Sequence, residues 1–222
     1  MTECCPLCGS PDPRFFHRDR RREYLRCDNC ELAFVSPKDY VSSAEELAYY
    51  QQHENQPDDP GYRRFLSRLA DPLCERLAAQ SVGMDFGCGP GPALAAMLTE
   101  AGHCMSLYDH FFFDDPAVLQ GSYDFITATE VVEHLHRPGD VLERLWRLLL
   151  PGGYLAVMTK LVQSQEAFAR WHYIRDPTHV CFFSRQTWTW WADCHHARVD
   201  FVGADVILLQ KDLGSAEAKV PV

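Results

Sequence analysis

Most of this chain is expected to fold as a doubly wound α/β sheet, and three observations carry that expectation. Between residues 82 and 159, short apolar segments alternate with amphipathic ones: VGMDF (82–86), CMSLY (104–108), YDFIT (123–127) and YLAVMT (154–159), with helical patterns at 93–101 and 140–150. Alternation of this kind builds a mostly parallel sheet covered on both faces, with ligands outside the carboxyl ends of its strands. A glycine-rich turn, GCGPG (87–91), joins the first of these strands to its helix, and residues 199–202 and 206–209 read as a closing hairpin. The 222 residues suffice for one such domain of 81–212 with a small appendage in front.

That appendage is legible from its cysteines. Five of the ten lie in the first thirty residues, and Cys5-Pro-Leu-Cys8 is matched by Cys27-Asp-Asn-Cys30. Two C-x2-C turns at this separation point four thiolates at one tetrahedral zinc ion. Gly9 permits the first turn, and Phe15-Phe16 with Tyr24-Leu25 fit the arms of a hairpin between the knuckles. Residues 1–37 are therefore expected to form a zinc ribbon, structural because four cysteines leave no open coordination position. Cys4 is the spare, and the scattered cysteines (74, 88, 104, 181, 194) read as small core residues. The strip Arg14–Arg22 has the basic and aromatic mix of a nucleic-acid contact. Against that, residues 1–37 hold six Arg and six Asp plus Glu, so the module is not basic overall. A solvated hairpin tip is the competing reading.

Residues 38–80 read as a helical linker in two pieces. Ser42-Ser-Ala-Glu45 has the capping-box pattern, and QPDDPG (56–61) should end the first helix. Phe65, Leu66, Leu69, Leu73 and Leu77 recur at helical spacing in the second. His53-Glu54-Asn55 between them reads either as a plain loop or as a lid over a cleft.

The glycine turn has the form D-x-G-x-G-x-G, led by Asp85, and not the G-x-G-x-x-G that seats a pyrophosphate. Asp109 ends the second strand, where a carboxylate can accept both hydroxyls of a ribose. Thr129 and Glu130 end a later strand beside the same crevice. On these residues the chain resembles the class I S-adenosylmethionine-dependent methyltransferases: MDFGCGPG is similar to their first motif, YDFITATEVVEHL to their post-strand motif and LLLPGGYLAVMT to their third. More closely, CPLCGS, CDNCELAF, GYRRFLSRLADPL and WHYIRDPTHVCFFS resemble a bacterial family of small zinc-ribbon methyltransferases. The resemblance implies a Rossmann-like sheet of the class I type and S-adenosylmethionine as cofactor. It implies that Gly87 and Gly89 admit the methionine moiety, that Asp85 orients its amino group and that Asp109 holds the ribose. Cys88, Gly91 and Thr129 complete the expected cofactor surface. One departure stands out: 110–122 is too short for the usual helix plus third strand, which leaves the adenine contacts open, with Asp114 or Asp115 as contributors.

The stretch TEVVEHLH (129–136) brings two carboxylates and an imidazole together. On a helix, Glu130, Glu133 and His134 would share one face. They would then suit a metal site, substrate activation or simply a helix start, where carboxylates suit the macrodipole. Similarity to the E-x-x-E-H face of small-RNA 2′-O-methyltransferases and ubiquinone-pathway O-methyltransferases implies a catalytic cation (Mg, Mn or Zn), with His179 as a distant ligand and an O-methyl product. The aromatic-rich segment 168–191 reads chiefly as core.

A formal net charge of −10 disfavours coating of nucleic acid or anionic membrane. No apolar run reaches bilayer length, and the N-terminus lacks the pattern of a signal peptide, so a soluble cytoplasmic protein is expected. Methyl transfer to a small-molecule acceptor leads the functional readings. An RNA or protein methyltransferase recruited by the ribbon, and a non-catalytic cofactor-binding or interaction module, are the alternatives; glycine spacing disfavours a nicotinamide dehydrogenase. Residues 213–222 read as a frayed tail.

Overall fold

The computed structural model describes residues 3–51 and 56–214. The expected loop His53-Glu54-Asn55 and most of the expected tail lie outside the described residues. Four strands belong to a small antiparallel sheet: β1 (Arg14–Arg18), β2 (Glu23–Arg26), β3 (Ala33–Val35) and β8 (Cys181–Phe182), in that order. Six belong to the main sheet: β4 (Val82–Phe86), β5 (Cys104–Tyr108), β6 (Tyr123–Thr129), β7 (Leu149–Met158), β9 (Arg198–Val202) and β10 (Val206–Gln210). Their order is β5-β4-β6-β7-β10-β9. The first four run parallel, and β10 is antiparallel to both β7 and β9.

Side chains alternate faces along a strand, and here both faces are apolar, as a doubly covered sheet requires. Phe125, Ala156, Met158, Val206 and Leu208 pack with Leu66, Leu69 and Leu73 of α2 (Pro60–Cys74) and Leu94 and Leu98 of α3 (Ala93–Glu100). Their neighbours Ile126, Leu155, Val157, Ile207 and Leu209 face the other way, toward α4 (Pro138–Leu148) and α6 (Arg185–Cys194), with Leu145, Trp188 and Trp191. Ribbon residues Phe16, Tyr24, Phe34 and Val35 belong to that same cluster, so the N-terminal module shares a core with the sheet. Phe168, Tyr173, Phe182, Phe183, Trp188 and Trp191 are buried, as the core reading of the aromatic segment expects.

The capping box of α1 (Ser43–Tyr50) forms as the sequence suggests: the Ser42 hydroxyl accepts from the Glu45 N–H and the Glu45 carboxylate accepts from the Ser42 N–H. Among the described residues no strand lies between Asp109 and Ser122, only a bridge (Asp109 to Phe113) and a 3-10 turn (Val118–Gln120), in keeping with the short spacing. Three expectations need correction. Of the scattered cysteines read as core residues only Cys181 is buried, and Cys104 and Cys194 are exposed. Pro151-Gly152-Gly153 is not a turn ahead of a strand but an irregular part of β7, where the register with β6 slips and Gly152 takes a positive φ. The segment after β6 is not a helix carrying Glu130, Glu133 and His134 on one face. Glu130 has φ +53°, and only Val132–His134 form a single 3-10 turn. The left-handed residue ends the strand sharply, and the Glu130 carboxylate does not join the close group formed by the two side chains that follow.

Candidate active site

At the carboxyl ends of β4, β5 and β6 lies a cavity of about 1180 Å³. Its walls come from the glycine turn, Asp109 to Phe112, Thr129 to Val131, His134 to His136, parts of α1 and α2, and His172, Tyr173, Arg175, Asp176 and His179. Gly87 sits at the first turn position with φ +71°, and a Cβ there would lie 2.4 Å from Val131, so conformation and space both require glycine. Its N–H donates to the Tyr108 carbonyl at 2.8 Å, and the Gly89 N–H donates to Asp109 Oδ2 at 2.9 Å. Asp109 Oδ1 accepts from the Phe111 and Phe112 N–H groups at 2.9 and 3.2 Å. The aspartate thus ties the glycine turn to the end of β5 while lining the cavity.

The other expected cofactor residues divide by depth. Gly87, Cys88, Gly89, Asp109 and Thr129 line the cavity; Asp85 and Gly91 do not. Asp85 is 3% exposed and accepts from Thr127 Oγ1 at 2.7 Å, beneath the turn. Burial pushes its carboxyl up to about 7. Asp114 and Asp115 are exposed and do not line the cavity, whereas His110, Phe111, Phe112 and Leu119 do. Thr129 Oγ1 and Glu130 Oε1 are buried polar atoms without a hydrogen-bond partner. Both residues line the cavity, and a buried polar group left dry and unpaired is costly.

The opposite wall is built around Glu133, which is fully buried. Tyr173 donates its hydroxyl proton to Oε1, and Thr159 Oγ1 donates to Oε2 at 3.0 Å. Burial, reinforced by the nearby Glu130 carboxylate, raises Glu133 to about 8. Burial likewise raises Glu130 to about 7. His134 and His179 stack edge-on with ring centroids 4.6 Å apart. His134 Nδ1 faces the Thr178 carbonyl at 3.3 Å and His179 Nδ1 the Tyr173 carbonyl at 2.8 Å. A carbonyl only accepts, so each Nδ1 carries a proton. Burial lowers His179 to about 4, so it is neutral at physiological pH. Ligand atoms of Glu133, His134 and His179 all lie within 4.8 Å of one another. This donor set, with both imidazoles oriented by backbone carbonyls, fits a divalent cation. Glu130 stands outside the trio. Nothing in local spacing ties residues 159 and 173 to 133, so the sequence does not reveal that Tyr173 and Thr159 hold Glu133.

In the ribbon, Cys5, Cys8, Cys27 and Cys30 also bring their sulfurs within 4.8 Å of one another. Cys5 to Cys30 and Cys8 to Cys27 are each 3.5 Å apart. Gly9 N–H to Cys5 O and Glu31 N–H to Cys27 O close the two knuckle turns, and residues 9 and 31 both have positive φ. Four converging thiols of this kind suit tetrahedral zinc. Within the basic strip Arg14 pairs with Asp28, Arg18 with Glu23, and Arg22 is buried, while Arg20 and Arg21 are exposed. Among the described residues no helix is long and apolar enough to cross a membrane.

Comparison with known proteins places this architecture. A methyltransferase-domain family model matches residues 53–196. The chain belongs to that family, the class I S-adenosylmethionine-dependent methyltransferases. It is 32% identical over 129 residues to the biotin biosynthesis bifunctional protein BioCD of Bordetella avium, a match over 46% of this chain and 27% of that protein. The chain thus spans about a quarter of that relative's length. Among solved structures it is similar to a Burkholderia thailandensis 1,6-didemethyltoxoflavin-N1-methyltransferase with bound 1,6-didemethyltoxoflavin and S-adenosylhomocysteine. That match has a TM-score of 0.55 and 14% identity, over 90% of this chain and 99% of that one. A second similar structure is an O-methyltransferase family protein from the same organism, with a TM-score of 0.48 and 14% identity over 76% and 68%.

Proposed function

We propose that this chain transfers a methyl group from S-adenosylmethionine to a small-molecule acceptor, with a hydroxyl as the acceptor group. The observation that carries the reading is the single cavity shared by two walls: the glycine turn with Asp109 on one side, and Glu130, His134 and His179 on the other. When bound, the cofactor supplies an electrophilic sulfonium methyl, and a divalent cation lowers the pKa of an acceptor hydroxyl. Gly87 and Gly89 let the methionine moiety approach the backbone, and Asp109 keeps lone pairs for the ribose beyond its bonds to Gly89, Phe111 and Phe112. Phe111 and Phe112 take the adenine side in place of a third strand. Thr129 Oγ1 offers a hydrogen bond to the cofactor or acceptor. Glu133, His134 and His179 hold the cation, and Glu130, outside the trio, takes the acceptor's proton. Zinc in the four-cysteine site is structural.

Alignment and exclusion of water supply most of the rate in such a transfer. α1 supports that role, since Glu46, Tyr49 and Tyr50 line the cavity. The size of the cavity supports a small acceptor, and the net charge of −10 speaks against nucleic-acid recruitment. The test is incubation of the zinc-loaded protein with labelled cofactor and cell extract, followed by size fractionation with and without nuclease and protease. Label in small molecules supports the reading. Label removed by nuclease or protease overturns the acceptor class, and no transfer from a protein that binds S-adenosylhomocysteine favours a non-catalytic module. Manganese binding, read by electron paramagnetic resonance on zinc-loaded protein, should be lost in Glu133→Gln and His179→Ala. No binding by the parent protein removes the cation from the proposal.

A further inference from the structure

We infer that Arg22, at the tip of the ribbon hairpin, is a positioning residue: it holds the loop 174–179, and with it His179, against the cavity. This rests on the reading of His179 as part of the acceptor wall. Arg22 is 8% exposed, and among the described residues no carboxylate forms an ion pair with it. Its guanidinium donates to four backbone carbonyls instead. Nη1 bonds Pro177 O at 2.9 Å and His179 O at 2.8 Å; Nη2 bonds Ile174 O at 2.6 Å and Asp176 O at 2.8 Å. Burying a guanidinium is costly, and charge-assisted bonds in its planar fork are what offset that cost. The four carbonyls need the cation as much as it needs them. The 3-10 turn His172–Arg175 ends here, and helix ends leave carbonyls without intrahelical partners and carry partial negative charge.

The hairpin tip is itself prepared for this task. Asp19 Oδ1 accepts from the N–H groups of Arg21 and Arg22 at 2.6 and 2.8 Å, and Tyr24 donates to Asp19 Oδ2 at 2.8 Å. A second tie runs alongside. Val35 N–H donates to Val180 O at 2.8 Å, and Val180 N–H donates to Glu133 O at 2.8 Å, so one backbone ladder leads from β3 to Glu133. Because Cys27 and Cys30 sit between β2 and β3, the zinc site governs the geometry from which both ties depart. The ribbon therefore acts as a brace for the active site.

The experiment is hydrogen–deuterium exchange with mass spectrometry on the full zinc-loaded chain, comparing the parent protein, Arg22→Met and Arg22→Lys. Arg22→Met keeps the apolar stem and removes every donor. Exchange at residues 173–180 should quicken by at least about tenfold, the worth of one charge-assisted bond or more. Arg22→Lys should fall between, since an ammonium cannot reproduce the fork. Segment 82–91 should exchange as in the parent, and S-adenosylhomocysteine affinity should stay within about twofold. Chelation of the zinc from the parent protein should quicken the same 173–180 segment, which tests the brace even where Arg22→Met folds poorly. Unchanged exchange at 173–180 in Arg22→Met overturns the inference, as does acceleration of equal size across the whole sheet. Failure of the parent to bind S-adenosylhomocysteine would sink the methyltransferase reading while leaving the exchange result standing.

Discussion

Asp85→Asn should stabilise the protein at neutral pH and leave it little changed in acid. Asp85 is 3% exposed and has one side-chain donor, Thr127 Oγ1, to satisfy it. Burial raises its carboxyl from 3.8 to about 7. Between those values the folded chain keeps a proton that the unfolded chain has released, so the folded state binds more protons and its stability falls as pH rises. The loss begins near pH 4 and is complete above about pH 7. At about 1.4 kcal/mol per unit, a shift of this size is worth at most ~4 kcal/mol, and relaxation around the site brings the working figure to about 2–4 kcal/mol. Asn is nearly isosteric, carries no charge and can still accept from Thr127. For a chain of this length the gain corresponds to about 5–15 °C in Tm at pH 8, shrinking toward zero near pH 4.5. The assay is thermal unfolding of both proteins from pH 4.5 to 8.5, read as the difference between them, so that other titrating groups cancel. A difference independent of pH, or one that favours the aspartate increasingly as pH rises, would show that the buried carboxylate is ionised and well solvated by the fold, and would refute the reasoning.

Three further outcomes are expected. Protein purified without chelator should carry about one zinc per chain by elemental analysis, and Cys27→Ser should lose it with a fall in Tm, since the ribbon shares the main core. Asp109→Ala should weaken S-adenosylhomocysteine binding by at least tenfold in calorimetry, because charge-assisted bonds worth roughly 1.5–3 kcal/mol each go and the Gly89 N–H loses its acceptor; unchanged affinity would place the ribose elsewhere. Gly83→Ala would set a methyl 2.2 Å from the Phe125 ring, whose atoms are fully buried. Overpacking of that kind costs about 1–3 kcal/mol, and chemical denaturation should show a lower midpoint at an unchanged slope.

Local chemistry was enough to reveal much of this protein. The C-x2-C pairs need only two tight turns, and the strands of the main sheet announce themselves because a parallel strand buried on both faces must be continuously apolar. Gly87 and Asp109 were legible for a similar reason: a left-handed turn and a strand-end carboxylate have their chemistry within a few residues. The missing third strand could be read from the shortness of 110–122. What the sequence could not decide depends on residues far apart along it. Glu130, Glu133 and His134 looked like one helical face, but β6 ends in a left-handed residue held by the sheet, with the Glu130 N–H on Met158 O, and this swings Glu130 out of the trio. Tyr173 and Thr159 reach Glu133 only because β7 and the 172–179 loop close over it. Arg22 looked like part of a solvent-facing basic strip, and it became buried because a distant loop presents four carbonyls that needed a cation. Periodicity and spacing report what a residue does to its neighbours in the chain; only the packed fold decides which polar groups must find each other once water is gone.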